Sequence, residues 1–321
     1  MKERAAPLPA DPAAPRAERH GGFLALACFL LITAFGIGLL ARPVHGEELD
    51  LSNFVPTFVE RFETLDISAY GPGTRWIAHT PWNGDFGDAI FANPGPGSPF
   101  ALTPEGLTIT ASKRADGRWQ GGLICSMDKD GAGQQGFAQQ FGYFEMRAKL
   151  PDGPGVWPAF WLIGIDKKTS ASEIDVLEYY GQFPEYYHNW AHIFQNGQDR
   201  LLKNNLVRVP PGSLTDRFND FGVLVEPEST RFFLNRKEIW RLPTPPEYHQ
   251  PLYVLANLAL GGGWPIDKLQ SPAVMTIAHI MVFQDKARLP ARTGAAAPGS
   301  AVTSRAGSPR PGGPAAEGGG G

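Results

Sequence analysis

The sequence predicts an all-β domain closed as a sandwich or jelly roll, and three observations carry that expectation. Apolar residues alternate with polar ones over short stretches bounded by turn residues, which is the period of a strand. The 321 residues include 38 Gly and 30 Pro, too many for a helical bundle, while an aromatic share of 11% is too high for a disordered chain. No stretch offers an apolar stripe at helical spacing, so the crossover helices that a parallel α/β sheet requires are missing.

In chain order the alternation marks Leu107 to Ser112, Phe141 to Leu150, Val156 to Ile163, Glu173 to Tyr180 and Trp190 to Gln195. It resumes at Phe218 to Val225, Arg231 to Leu234, Leu252 to Leu260 and Val274 to Phe283. About a dozen antiparallel strands are expected, joined by Pro/Gly-rich loops such as Asn83 to Pro99 and Lys129 to Gln140.

The two ends differ in kind from this middle. Residues 1–46 read as a signal peptide or an N-terminal membrane anchor: a basic, Ala/Pro-rich start is followed by the 19-residue uncharged run Phe23 to Ala41. Val44-His45-Gly46 suits cleavage before Glu47, whereas the basic residues ahead of the run suit an anchor with its N-terminus inside. Both readings deliver the domain outside the cytoplasm, secreted or periplasmic, with a membrane tether through residues 23–41 in the second. Residues 290–321 are almost entirely Ala, Gly, Pro, Ser, Thr and Arg, a composition unable to offset its own ordering entropy, and read as a disordered tail. The folded domain is therefore assigned to residues 47–289. Two cysteines, Cys28 in the apolar run and Cys125, leave no disulfide framework.

Formal net charge is −3. Of 29 basic and 32 acidic residues, 8 and 4 lie in the two ends, so that the middle carries 21 and 28, net −7. Nucleic acid, whose phosphates demand clustered Lys and Arg, is a poor partner for such a domain. A neutral, hydrated ligand suits it better, and a monomer is expected.

The chemistry concentrates in Ser172-Glu173-Ile174-Asp175-Val176-Leu177-Glu178-Tyr179-Tyr180-Gly181. On a regular strand Glu173 and Asp175 share one face, with Ile174 and Val176 on the other, and Glu178 points the wrong way. One extra residue at Val176 or Leu177, a β-bulge, returns it to their side. Three carboxylates on one face repel, and the repulsion raises at least one pKa, as an acid catalyst near neutrality requires. Paired carboxylates are the standard means of cleaving a glycosidic bond. Taken alone, the strand also fits a solvated acidic face or a calcium site. Upstream, Trp157, Ala159 and Trp161 share a face, and flat indoles at that spacing suit the C–H faces of pyranose rings.

Glu-Ile-Asp-Val-Leu-Glu, preceded by Phe141-Gly-Tyr-Phe-Glu-Met-Arg147-Ala-Lys-Leu-Pro151 and Trp157-Pro-Ala-Phe-Trp161, resembles glycoside hydrolase family 16, the laminarinase and lichenase family. Phe232 to Ile239 is similar to that family's hairpin, and Asn257-Leu-Ala-Leu-Gly-Gly-Gly-Trp264-Pro265 to its Asn-x-Ala-x-Gly-Gly-x-Trp-Pro segment. The likeness runs from about Phe54 to Phe283. It implies a concanavalin A-like β-jelly-roll with a concave substrate groove, and retaining endo-hydrolysis of a β-1,3- or mixed β-1,3/1,4-linked glucan.

By the same resemblance Glu173 is the nucleophile, Asp175 its helper and Glu178 the general acid/base. Trp157, Trp161, His192, Arg147, Asn257 and Trp264 are the expected substrate contacts. Arg147 is included because it shares a face with Glu145 and Lys149. No cofactor is required. A structural calcium occurs in some relatives near the terminal strand, where Asp285 is the candidate ligand. The hairpin departs from its relatives in carrying Asn235-Arg236, read as a change of turn chemistry only. The motif is shared by enzymes for glucans, galactans and exopolysaccharides, so the competing readings are a depolymerase of a succinoglycan-like exopolysaccharide, a transglycosylase, or a non-catalytic jelly-roll lectin.

Overall fold

The computed structural model describes residues 48–82, 84–128 and 136–289; the leader, the tail and Cys28 lie outside them. Among the described residues the chain is nearly all strand, nineteen segments in all. That exceeds the expected dozen because five are two-residue pairings inside the Pro/Gly-rich loops, such as Ile90–Phe91 and Gln198–Asp199. Three of these take part in parallel pairings, Ile67–Ser68 with Trp76–Ile77 and Ile90–Phe91 with the strand Trp119–Cys125. With one another the longer strands pair antiparallel.

They form two facing sheets. In the first, Gly142–Lys149 lies between Asn219–Val225 and the 13-residue terminal strand Ala273–Asp285. The strands Ser229–Leu234 and Lys237–Pro243 extend it on one side, Phe54–Glu60 and Gly106–Lys113 on the other. In the second, Ala171–Glu178 lies between Val156–Gly164 and Tyr186–Gln195. Leu252–Leu260 and Trp119–Cys125 continue it beyond Val156–Gly164, and Lys203–Arg208 forms the opposite edge. Hydrogen bonds between Gly106–Lys113 and Trp119–Cys125 join the two sheets at one corner.

Strand alternation decides what each face meets. Phe144, Met146 and Ala148 of the first sheet face Phe160, Leu162, Ile174 and Val254 of the second, all 0% exposed. Each large apolar side chain so buried contributes about 1.5–3 kcal/mol. The strand Leu252–Leu260 is buried along its whole length because both faces are covered. Leu252, Val254, Ala256 and Leu258 enter the core, while Tyr253, Leu255 and Ala259 pack under Ile77, Phe86 and Phe91 of the segment between Phe54–Glu60 and Gly106–Lys113.

The Asn235-Arg236 turn does more than change turn chemistry. Both residues have positive φ, 51° and 61°, the left-handed pair that a two-residue hairpin demands and that favours Gly at the second place. Arg236 instead donates through Nε and Nη2 to both carboxylate oxygens of Glu145, each at 2.9 Å, on the outer face of the first sheet. Glu145 is fully buried and also accepts from Tyr143 Oη at 2.9 Å; burial opposes its ionisation, yet Arg236, His279 and Tyr143 together hold its pKa down at about 2.

Arg236→Gly is therefore expected to destabilise the fold, although Gly suits the turn. Relief of the left-handed backbone gains about 1 kcal/mol. Leaving Glu145 without its partner costs more, about 2–3 kcal/mol after allowance for the half-exposed guanidinium. The lowered pKa makes this contribution complete above the unfolded value of about 4.5, and it is lost as pH falls through about 2. Urea titrations should show a deficit at pH 7 that shrinks at pH 3, and a variant as stable as the wild type at pH 7 would refute the pairing.

Candidate active site

The expected bulge is present. Asp175 pairs with Trp161 and Leu177 with Phe160, so that Val176 is the residue without a partner on that side. On the other side the register breaks between Asp175, opposite Trp190, and Glu178, opposite His188. Ile174, Val176 and Leu177 all enter the core, and Glu173, Asp175 and Glu178 all emerge on the outer face of the second sheet. Tyr248, in the 3-10 turn Pro246–Tyr248, donates to the backbone carbonyl of Glu173 at 2.8 Å and so ties this strand to its neighbour.

Carboxylate and imidazole atoms of Glu173, Asp175 and His192 lie within 4.8 Å of one another. His192 stands opposite Glu173, with Nε2 3.3 Å from Asp175 and Nδ1 2.5 Å from Asp199. Burial disfavours its charged form, but hydrogen bonds and charge from Asp175 and Asp199, with the charge of Glu173, overcome that and raise its pKa to about 9. Asp199 was not found from the sequence. Asn196-Gly197, both at positive φ, is a two-residue hairpin signal that returns Asp199 opposite Phe194, and it was the clue available.

The two glutamates sit in different surroundings. Glu178 accepts from Trp157 Nε1 at 3.0 Å and from Tyr180 Oη at 2.8 Å. Burial, then the charge of Asp175, pushes its pKa up to about 7 against these donors. The indole N–H of Trp190 faces the same carboxylate and helps the donors hold its charge. Glu173 is also pushed well up, first by burial and next by Asp175, with His192 pulling it back.

Among the expected contacts, Trp157 fits best. It is half-buried, stacks on Tyr180 with centroids 5.9 Å apart, and adjoins Glu178. Gly262 belongs to this arrangement: its φ is +62°, and a Cβ there would come within 2.7 Å of both rings, which accounts for glycine in the Gly-Gly-x-Trp-Pro segment. Trp264 is 38% exposed beside Phe183. Trp161 and Asn257 differ from expectation, for Trp161 is 5% and Asn257 0% exposed. The indole N–H of Trp161 donates to Asn257 Oδ1 at 2.9 Å, and its ring is covered by the edges of Trp82 and Phe86. Neither is an open platform; they brace the floor.

Arg147 is a correction. Its strand belongs to the first sheet, where its neighbours Phe144, Met146 and Ala148 fill the core, so the side chain emerges on the face opposite the carboxylates. There it pairs with Asp220 at 3.0 Å.

Two groups of three potential metal ligands occur among the described residues, Glu145–Asp220–His279 and Glu173–Asp175–His192. Guanidinium groups of Arg236 and Arg147 already occupy the carboxylates of the first. Asp285 belongs to neither, and its carboxylate accepts from the N–H of Ala287 to cap the last turn.

The sequence profile of glycosyl hydrolases family 16 matches residues 103–279. The chain is 31% identical over 258 residues to an endo-1,3-1,4-beta-glycanase of Rhizobium meliloti, covering 73% of this chain and 53% of that protein. It thus spans about half the length of that relative. It is also 31% identical over 169 residues to a beta-glucanase of Rhodothermus marinus, covering 45% of this chain and 57% of the other. In fold it is similar to the laminarinase catalytic domain from Thermotoga maritima, with a TM-score of 0.57 at 19% identity, covering 73% of this chain and 99% of that one.

Proposed function

The chain belongs to glycosyl hydrolases family 16, and from that premise we propose that it is a retaining endo-hydrolase of β-1,3- or mixed β-1,3/1,4-linked glucan. One observation carries the reading: the bulge sets two glutamates on one face of one strand and gives them unlike surroundings. With a pKa near 7, Glu178 holds a proton to give to the glycosidic oxygen as the C1–O bond breaks. Glu173 attacks C1 and forms the glycosyl ester. In the second half, water attacks C1, Glu178 takes its proton, and Glu173 leaves as carboxylate. His192, protonated up to about pH 9, offers the positive charge beside Asp175 that favours an ionised Glu173. The linkage follows the names of the glucan-cleaving relatives.

Incubation with laminarin, mixed-linkage glucan and a set of acidic exopolysaccharides, followed by product sizing, tests this directly. Mid-length oligosaccharides from the glucans are expected. Cleavage of exopolysaccharide alone would move the substrate to the cell's own polymers, and binding with no new reducing ends on any polymer would make the protein a lectin.

The leader supports an extracytoplasmic location, with no cofactor needed for the reaction. Protein recovered outside cells should begin at Glu47, or be held at the membrane with residues 1–46 intact. Recovery from the cytoplasm alone would overturn the export reading.

A further inference from the structure

The loop at residues 165–170, between Val156–Gly164 and Ala171–Glu178, carries a cation that the chemistry above does not use. We propose that Lys167 binds a carboxylate carried by the substrate chain, so that the enzyme reads an acidic sugar, or an acidic substituent on a sugar, near the ring attacked by Glu173. The proposal rests on the hydrolase reading and narrows its substrate class.

Position is the first argument. Tyr253 pairs with Ile163 and Ile163 with Glu173, so the three side chains stand in one row on the outer face of the second sheet, two strand spacings or roughly 9–10 Å from first to last. Lys167 Nζ donates to Tyr253 Oη at 2.8 Å, which holds the ammonium at the Glu173 end of the carboxylate strand, away from Glu178. The same ammonium lies 4.1 Å from the ring centroid of Trp82 and 5.3 Å from that of Tyr253. Two rings and one hydroxyl thus fix where the charge sits.

Those partners leave the charge unanswered. An ammonium has three N–H donors, and Tyr253 takes one. No carboxylate of the described residues forms an ion pair with Lys167, whereas Arg147, Arg231 and Arg236 each have one. Asp166, its neighbour in the loop, turns its carboxylate to the N–H of Lys168 instead. Burial lowers the Lys167 pKa, and the charge of Glu173 works against that. A bound carboxylate supplies the charge-assisted bond that burial has taken from water. Lys167 remains exposed along its stem, as does Trp82 at 43%, so a chain lying on this face reaches both. The net negative charge of the domain disfavours acidic polymers at long range, and this cation makes an acid at this one place the exception. Being a compact point charge without the planar fork of arginine, it accepts the acid at whatever angle the sugar presents it.

The test compares a mixed-linkage glucan with the same glucan partly carboxymethylated. For Lys167→Gln, kcat/KM on the acidic polymer is expected to fall about tenfold further than on the neutral one. Equal falls on both polymers would overturn the site while leaving the hydrolase reading intact. A wild type that cleaves neither polymer overturns both. Should the variant fail to fold, the wild-type products decide: in oligosaccharides released from the carboxymethylated glucan, acidic sugars should recur at a fixed distance from the new reducing end, and an even spread along them would overturn the site.

Discussion

Replacing Glu173 by Gln is expected to lower kcat/KM on every substrate, aryl glycosides included, by on the order of 10⁵-fold. An amide cannot form the glycosyl ester, and a better leaving group does not replace a missing nucleophile. Stability should move the other way. Burial and the neighbouring Asp175 raise the Glu173 pKa, so the ionised carboxylate opposes folding above the unfolded value of 4.5. Gln removes that opposition, and the melting temperature at pH 7 should hold level or rise, with the gain vanishing below pH 4. Loss of activity together with a clearly lower melting temperature would mean that Glu173 is a structural residue.

Glu178→Ala should fail in another manner. Polysaccharide hydrolysis should drop about 10²- to 10⁴-fold, the usual contribution of a positioned acid. A nitrophenyl glycoside needs no proton, so its first step should persist, and added azide should release the stalled ester as a β-glycosyl azide. The wild type should lose kcat/KM as pH rises through about 7, where Glu178 gives up its proton. In the variant acting on the nitrophenyl substrate that limb should be absent. An unchanged limb assigns the acid to another residue, and an α-azide product contradicts retention.

Much of this site was legible because it obeys local rules. Face alternation along Glu173 to Glu178 has a fixed period, and the extra residue at Val176 follows from the need to bring Glu178 round. Apolar alternation likewise located nine of the longer strands but did not mark Phe54–Glu60, Phe100–Thr103, Trp119–Cys125, Lys203–Arg208 or Lys237–Pro243, and the two-residue pairings in the loops carry no periodic signal at all. Arg147 was misplaced because alternation tells which face a side chain takes and not which sheet its strand joins. The chain crosses from the first sheet to the second between Lys149 and Val156, and no residue there announces the crossing. Trp161 was misjudged for a related reason: its face was right, but Trp82 and Phe86, which cover it, come from a loop some eighty residues earlier in the chain. Arg236 held a buried ion pair that the turn alone could not suggest.

The bulge also bears on how this gene can change over generations. Five positions separate Glu173 from Glu178, an odd interval that an unbroken strand would resolve onto opposite faces. Substitutions at Val176 or Leu177 alter only the packing beneath, and many apolar pairs would serve. Loss of a single codon between Asp175 and Glu178 would leave an even interval of four, which an unbroken strand resolves onto one face, so the bulge would go while the two glutamates stayed together. The segment between Asp175 and Glu178 is thus held to apolar letters by the core beneath it, while its length can change by one residue without parting the glutamates.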